Sequence, residues 1–163
     1  MIDPVAPAQR LMLAVEDHFG AAGVALPERR YLLAGNAAGA AWDDEQVTVS
    51  LNGVWPGPSA AQQSAQATAA HQAGTVLPRA VYEIRILRCW PTVDDSGEPP
   101  TPEAITQASM VLMRDAGLIL TALYAYAAAD RGNGTMSVGE IQPLGPDGGL
   151  CGYAVVITLS PVE

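Results

Sequence analysis

The sequence predicts an α+β fold: a mostly antiparallel sheet of about five strands, a long helix packed on one face of it, and a further helix at the amino terminus. Three observations lead there. Residues 45–51 alternate strictly, with Val47, Val49 and Leu51 on one side and Gln46, Thr48 and Ser50 on the other, the period of a half-buried strand. Residues 101–129 carry apolar side chains near helical spacing behind a Thr-Pro-Glu start. The last third holds two strand-like runs separated by turn-forming residues. At 163 residues the chain fits one domain and buries enough surface to fold without disulfide or metal staples.

The first element reads as a helix over 4–19, with Asp3 as N-cap, Pro4 at the first helical position and Gly20 as its stop, so that Leu11, Val15 and Phe19 share a face. A short strand is expected at 30–33, between Pro27 and Gly35, followed by the alternating strand 45–51. From Pro56 to Pro78 no formal charge appears, and alanine, glutamine, serine and glycine dominate. That stretch is too poor in large apolar residues to pack as a core element, so it is expected to leave the sheet as a long loop, with room for a short helix within 59–70. Two readings stand for it, a tolerated surface insertion and an arm that touches a partner. Strand character returns at 81–90, where Tyr82, Ile84 and Ile86 share one face and Glu83 and Arg85 the other. An acidic loop, 91–100, precedes the long helix of 101–129, whose face is drawn by Ile105, Ala108, Leu112, Ile119, Leu123 and Tyr126. Arg114 and Asp115 interrupt that apolar pattern and preclude burial on all sides. Strands at 135–141 and 150–159 flank the turn-rich Pro143–Gly149 segment, with a bulge expected at Gly139.

Composition limits the chemistry. Eight basic residues, all arginine, face seventeen acidic ones, for a net charge of −9. A chain this acidic does not bind nucleic acid by displacing counterions from phosphates. No charged amino-terminal segment followed by an apolar run marks it for secretion, and the longest uncharged apolar run, 116–129, is shorter than the roughly 20 residues of a membrane span; a soluble protein with no membrane partner is expected. Cys89 and Cys151 fall in strand-like runs and read as two buried, unpaired thiols, with a disulfide or a metal site as the alternatives. His18, beside Glu16 and Asp17, reads as a solvent-facing helix residue, and no zinc spacing is present. Asp43, Asp44 and Glu45 make a compact acidic cluster whose competing readings are a Mg²⁺ site and a solvated strand entrance, the latter favoured because no further oxygen ligands are identifiable. Neither a phosphate-cradling glycine loop nor a nucleophile elbow occurs. The expectation is no enzyme, no cofactor and no metal.

The segments Arg30–Gly35 and Ala41–Val49, the Gly53-Val54-Trp55-Pro56-Gly57 exit, the Arg88-Cys89-Trp90-Pro91 to Asp94 strand end, and the Pro143–Gly152 loop together resemble the tail terminator and head-to-tail connector proteins of long-tailed (siphovirus) actinobacterial bacteriophages. The resemblance covers roughly residues 28–160. Asp44 stands where such relatives often have cysteine, so no thiol acts at that position. What the resemblance implies is a structural protein of the virion tail and neck, made in the host cytoplasm. It would form a homo-oligomeric ring, a hexamer, that caps the major tail tube protein and meets the head connector or stopper, with genomic DNA passing through the lumen without specific binding. An acidic wall would repel phosphates within the roughly 10 Å reach of salt screening. Candidate contacts are Trp42 and Trp55 at the ends of the clearest strand, Gln62, Gln63 and His71 in the uncharged loop, and Asp94, Asp95 and Glu98 in the acidic one. For each tryptophan, core packing competes with contact. A head-completion or neck connector is the alternative in the same class. A small-molecule-binding or enzymatic domain, which requires an apolar cavity with convergent polar groups, is the alternative from another.

Overall fold

The computed structural model describes residues 3–35, 44–55, 78–130 and 134–161. The order of elements is α1 (Val5–Ala21), β1 (Arg29–Ala34), β2 (Gln46–Trp55), β3 (Arg79–Cys89), α2 (Pro102–Ala129), β4 (Gly134–Asp147) and β5 (Leu150–Pro161). The five strands form one sheet in the order β1-β2-β3-β5-β4, antiparallel except where β1 runs parallel to β2. The α+β architecture expected from sequence is the one observed.

Both helices have legible ends. Asp3 caps α1 through its side chain, Oδ1 accepting from the Val5 amide at 2.9 Å. The helix stops at Gly23 rather than at Gly20. Gly23 takes φ 63°, its amide bonds to Gly20 O, and the Val24 amide reaches back to Phe19 O at 2.9 Å. These paired bonds make a Schellman end, in which the left-handed residue, not the first glycine met, terminates the helix. Thr101 caps α2, Oγ1 accepting from the Ala104 amide at 3.2 Å, with Pro102 and Glu103 in the first turn.

The core lies between one face of the sheet and the two helices. Val47, Val49, Tyr82, Ile84, Ile86, Val155 and Ile157 meet Leu11, Val15 and Phe19 of α1 and Ile119, Leu123 and Tyr126 of α2. The helices run antiparallel: Arg114 of α2 donates to Ala22 O at the end of α1, and Arg10 of α1 lies 3.9 Å from Asp130. β3 and β5 approach so closely at Gly152 that a Cβ there would sit 1.8 Å from Ile86 O, so no larger residue fits without moving the strands.

Three expectations need correction. Gln46, Thr48 and Ser50 face away from the helices yet are buried. Their side chains lie between those of Arg29, Tyr31 and Leu33 of β1 and Leu87, Arg85 and Glu83 of β3, their partners in the register. The turn after Gln142 is shorter than its composition suggests, because β4 continues to Asp147 and carries Pro143 and Pro146 on the sheet edge. An edge strand tolerates proline, whose missing N–H can face solvent, and the register shifts at Val138/Ile141 and Leu144/Asp147 absorb the irregularity. The first of these shifts is the bulge expected at Gly139. Cys89 is exposed and Cys151 half-buried, both as free thiols. At the end of β3 it is Arg88, not its neighbour, that turns inward.

Candidate functional site: the projecting end of helix α2

Helix α2 is unusual in how its charge and its apolar surface are arranged. Asp115, read from sequence as an interruption of the apolar face, is fully buried within it. Three residues after Leu112 and four before Ile119, it occupies the core side of the helix. Arg88 meets it from the end of β3, Nε donating to Oδ2 at 2.8 Å and Nη2 to Oδ1 at 3.3 Å. The same guanidinium donates to Glu45 Oε2 at 3.2 Å and to Ala25 O at 2.8 Å, while Glu45 Oε1 accepts from the Cys89 amide at 3.1 Å. Burial raises the Asp115 pKa, opposed by Arg88. Burial also works against the charge of Arg88, but its bonds to Asp115 and Glu45 outweigh that effect and hold its pKa above the ordinary arginine value. The knot ties the middle of α2 to the start of β2, the end of β3 and the connection leaving α1. Glu45 is therefore engaged at the foot of the sheet rather than simply solvated, and Asp44 pairs with Arg29 at 3.3 Å.

Beyond this knot α2 loses its support. With 28 residues against 17 in α1, it outruns its neighbour by about 16 Å at 1.5 Å per residue. None of residues 102–111 is buried. This end is largely apolar: Ile105, Met110 (58% exposed), Val111 and Met113 (68%) point to different sides, with the exposed Glu103 and Gln107 between them, and Ile105 and Ala108, expected to pack, lie at most partly covered. The two hydroxyl residues among them, Thr106 and Ser109, turn back onto the helix. Thr106 Oγ1 donates to Pro102 O at 2.7 Å and Ser109 Oγ to Ile105 O at 2.8 Å, so both present methyl or methylene groups outward. Large apolar side chains on a helix are normally turned toward a core. By length and composition α2 also reaches what a membrane span requires, 28 residues with a mean hydropathy of 1.3 over 18 of them, beyond the shorter run counted from sequence. Arg114 and the buried Asp115 interrupt it at its centre.

A second apolar feature lies at the other end of the molecule. Pro4, Val5 and Ala8 of α1 and Leu32, Leu33, Ala34, Val49 and Leu51 of β1 and β2 line a groove of about 270 Å³. It is smaller than the ~300–1,000 Å³ of small-molecule sites, and its lining supplies no convergent polar side chains.

Of the contact candidates read from sequence, Trp42, Gln62, Gln63 and His71 lie outside the described residues, as do Asp43, the segment 56–77 and the short helix suggested within it. Trp55 is 55% exposed at the end of β2, with the Arg79 guanidinium 5.2 Å from its ring centroid. Asp94 faces its own loop: Oδ1 accepts from the Ser96 hydroxyl at 2.6 Å and from the Ser96 and Glu98 amides, each at 2.9 Å. These bonds, the Ser96 hydroxyl first, lower its pKa. Asp95 and Glu98 remain exposed beside the start of α2. His18 is half-buried, its Nδ1 2.9 Å from Ala14 O. Cys89 has a raised pKa, from desolvation and then from the carboxylates of Glu45 and Asp44, and so stays protonated rather than nucleophilic. Among the described residues no group of three His, Cys, Asp or Glu side chains is placed to hold a metal ion.

Sequence reasoning missed both the Arg88–Asp115–Glu45 knot and the projecting methionines. Asp115 at core spacing was a signal for the first; that α1 is too short to cover α2 was the signal for the second. No family model matches the chain, and no curated protein is similar to it.

Proposed function

We propose that this chain is a structural, non-enzymatic protein of a bacteriophage virion, a tail terminator whose copies form a ring that caps the tail tube and meets the head connector. The observation that carries this reading is the projecting end of α2, a largely apolar surface anchored by the knot beneath it, on which none of residues 102–111 is buried against the other described residues. A ring subunit needs such surfaces, because heterologous contacts must close on themselves around the axis. The sequence motifs shared with tail terminators, among them the Trp55 exit and the Arg88-Cys89 strand end, support the same reading. So does the net charge of −9, which suits a wall along which DNA passes without sticking.

Mass photometry of the purified protein, with and without tail-tube subunits, followed by electron microscopy, tests the proposal. A closed ring seated on tube ends is the expected result. A ring that ignores tubes but binds portal-side proteins would move the assignment to a neck connector, and a persistent monomer would defeat it.

A further inference from the structure

We propose that the Arg88–Asp115–Glu45 cluster is a proton-operated latch: uptake of one proton by Asp115 unties the middle of α2 from the sheet and frees the first half of the helix to swing, while the core stays folded. Two carboxylates share one nearly buried guanidinium, so the inner cluster holds one negative charge more than its cation balances. Arg88 makes four bonds, two to Asp115, one to Glu45 and one to Ala25 O. Asp115 is fully buried, whereas Glu45 is partly exposed and keeps water around its charge. When the pair of carboxylates takes up a proton, the one without water gives up its charge.

That proton changes the bonds of α2 and spares the others. Protonated Asp115 carries an O–H where it had an acceptor, facing the donors of Arg88, so at least one of the two charge-assisted bonds is lost. Arg88 keeps Glu45 and Ala25 O, and stays tied to the start of β2 and the connection after α1. Ile119, Leu123 and Tyr126 hold the second half of α2 in the core. The first half has only Leu112 buried at its end and the Arg114 bond to Ala22 O, at the exposed surface. The charged groups acting on Asp115 are Arg88 from β3, Glu45 from the start of β2 and Arg114 from α2 itself. Around them Asp44 is paired with Arg29, Cys151 of β5 donates to Leu144 O, and the His18 ring of α1 is turned to Ala14 O. Burial is the largest influence and lifts the Asp115 carboxyl above the ordinary aspartate value; Arg88 and Arg114 oppose the rise and Glu45 adds to it. With a raised folded value the folded chain binds this proton more tightly than the unfolded chain, so the contribution of Asp115 to stability grows as pH falls through that value. The latch therefore opens within the folded state, ahead of acid unfolding.

Carboxyl-carbon NMR and amide exchange of the full chain test it from about pH 7 to about pH 4, above the ordinary aspartate value of ~3.9. The Asp115 carboxyl carbon is expected to titrate above that value. Protection of the amides of residues 105–114 should fall about tenfold in step with it, the loss of one charge-assisted hydrogen bond, while the amides of α1 and β3 keep theirs. Asp115→Asn, a neutral side chain of the same shape, should show at neutral pH the weakened protection that the wild type shows in acid. Glu45→Gln removes the competing carboxylate and should move the Asp115 midpoint down. A midpoint at or below the ordinary value overturns the proposal, as does one that Glu45→Gln leaves in place or raises. So does protection lost equally across α1 and β3, or an Asp115→Asn variant as protected as the wild type at neutral pH. If Asp115→Asn does not fold, the wild-type titration and exchange decide alone. Neither readout involves a ring or a tube, so the latch stands or falls separately from the tail assignment.

Discussion

The two parts of α2 are built from similar residues and have opposite surroundings. From Leu112 to Tyr126 the helix lies against α1 and the sheet, and a carboxylate sits inside it; from Pro102 to Val111 no residue is buried against the other described residues, and methionine, valine and isoleucine sit outside. A globular helix ordinarily reverses that distribution, with charge outside and large apolar groups inside. The difference shows that residue type does not decide burial along this helix. What decides it is the length of the neighbour: where α1 ends, cover ends, and the Arg88–Asp115 pair marks the boundary. The pair also explains how an unsupported helical end stays in place, since its lever arm is anchored in three other segments.

Several measurements would break or sharpen this contrast. The largest effect is expected from Asp115→Ala, which leaves Arg88 buried without its main partner and should cost about 3–5 kcal/mol in urea unfolding. A loss under ~1 kcal/mol would mean that the knot does not anchor the helix. Tyr82 reports on the covered part from the sheet side. Its hydroxyl donates to Pro4 O at 2.9 Å, and burial, followed by Tyr126 and Asp3, pushes its pKa up from 10.0 to about 12. The folded state thus favours the neutral phenol. Stability from this group is complete below pH 10, then falls by about 1.4 kcal/mol per pH unit as the unfolded chain ionises first, until the folded pKa is reached. Denaturation midpoints recorded from pH 9 to 12, with Tyr82→Phe as the control that flattens the fall, check it.

Smaller effects belong to the exposed positions of the helix and to its cap. Thr101→Ala removes the cap of the projecting end and should lower stability by about 1 kcal/mol, with faster amide exchange confined to the first turns. Gly117→Ala should raise monomer stability by about 0.5–1 kcal/mol, because an added Cβ there meets nothing within 4 Å and the helix gains from losing its glycine. Met113→Glu should change monomer stability by no more than about 0.5 kcal/mol, since the side chain already faces solvent. A large destabilisation by Met113→Glu would show that the projecting end is packed after all.

Much of the fold was legible because it rests on local periodicity. The alternation of Val47 and Val49, the triple Tyr82, Ile84 and Ile86, and the row Leu11, Val15 and Phe19 each marked a face that is buried in the structure. The cap at Thr101 and the bulge at Gly139 followed from residue type and spacing. The ends of elements were less legible. Gly20 and Gly23 both resemble a helix stop, and which of them adopts the left-handed conformation depends on Val24 packing beside Phe19. The site was the least legible part. Tryptophans and loop charges drew attention because of their chemistry, whereas Met110 and Met113 look like ordinary core residues until the length of α1 is set against that of α2.

By itself the sequence determined the element types, the inward faces of the main strands and the acidic, lysine-free surface, because period, capping chemistry and charge are properties of neighbouring residues. Only the tertiary structure decided that β1 runs parallel to β2, that Asp115 lies inside against Arg88 and Glu45, and that the first turns of α2 stand free. Those outcomes depend on segments tens of residues apart meeting at one place, and burial is set by what arrives there.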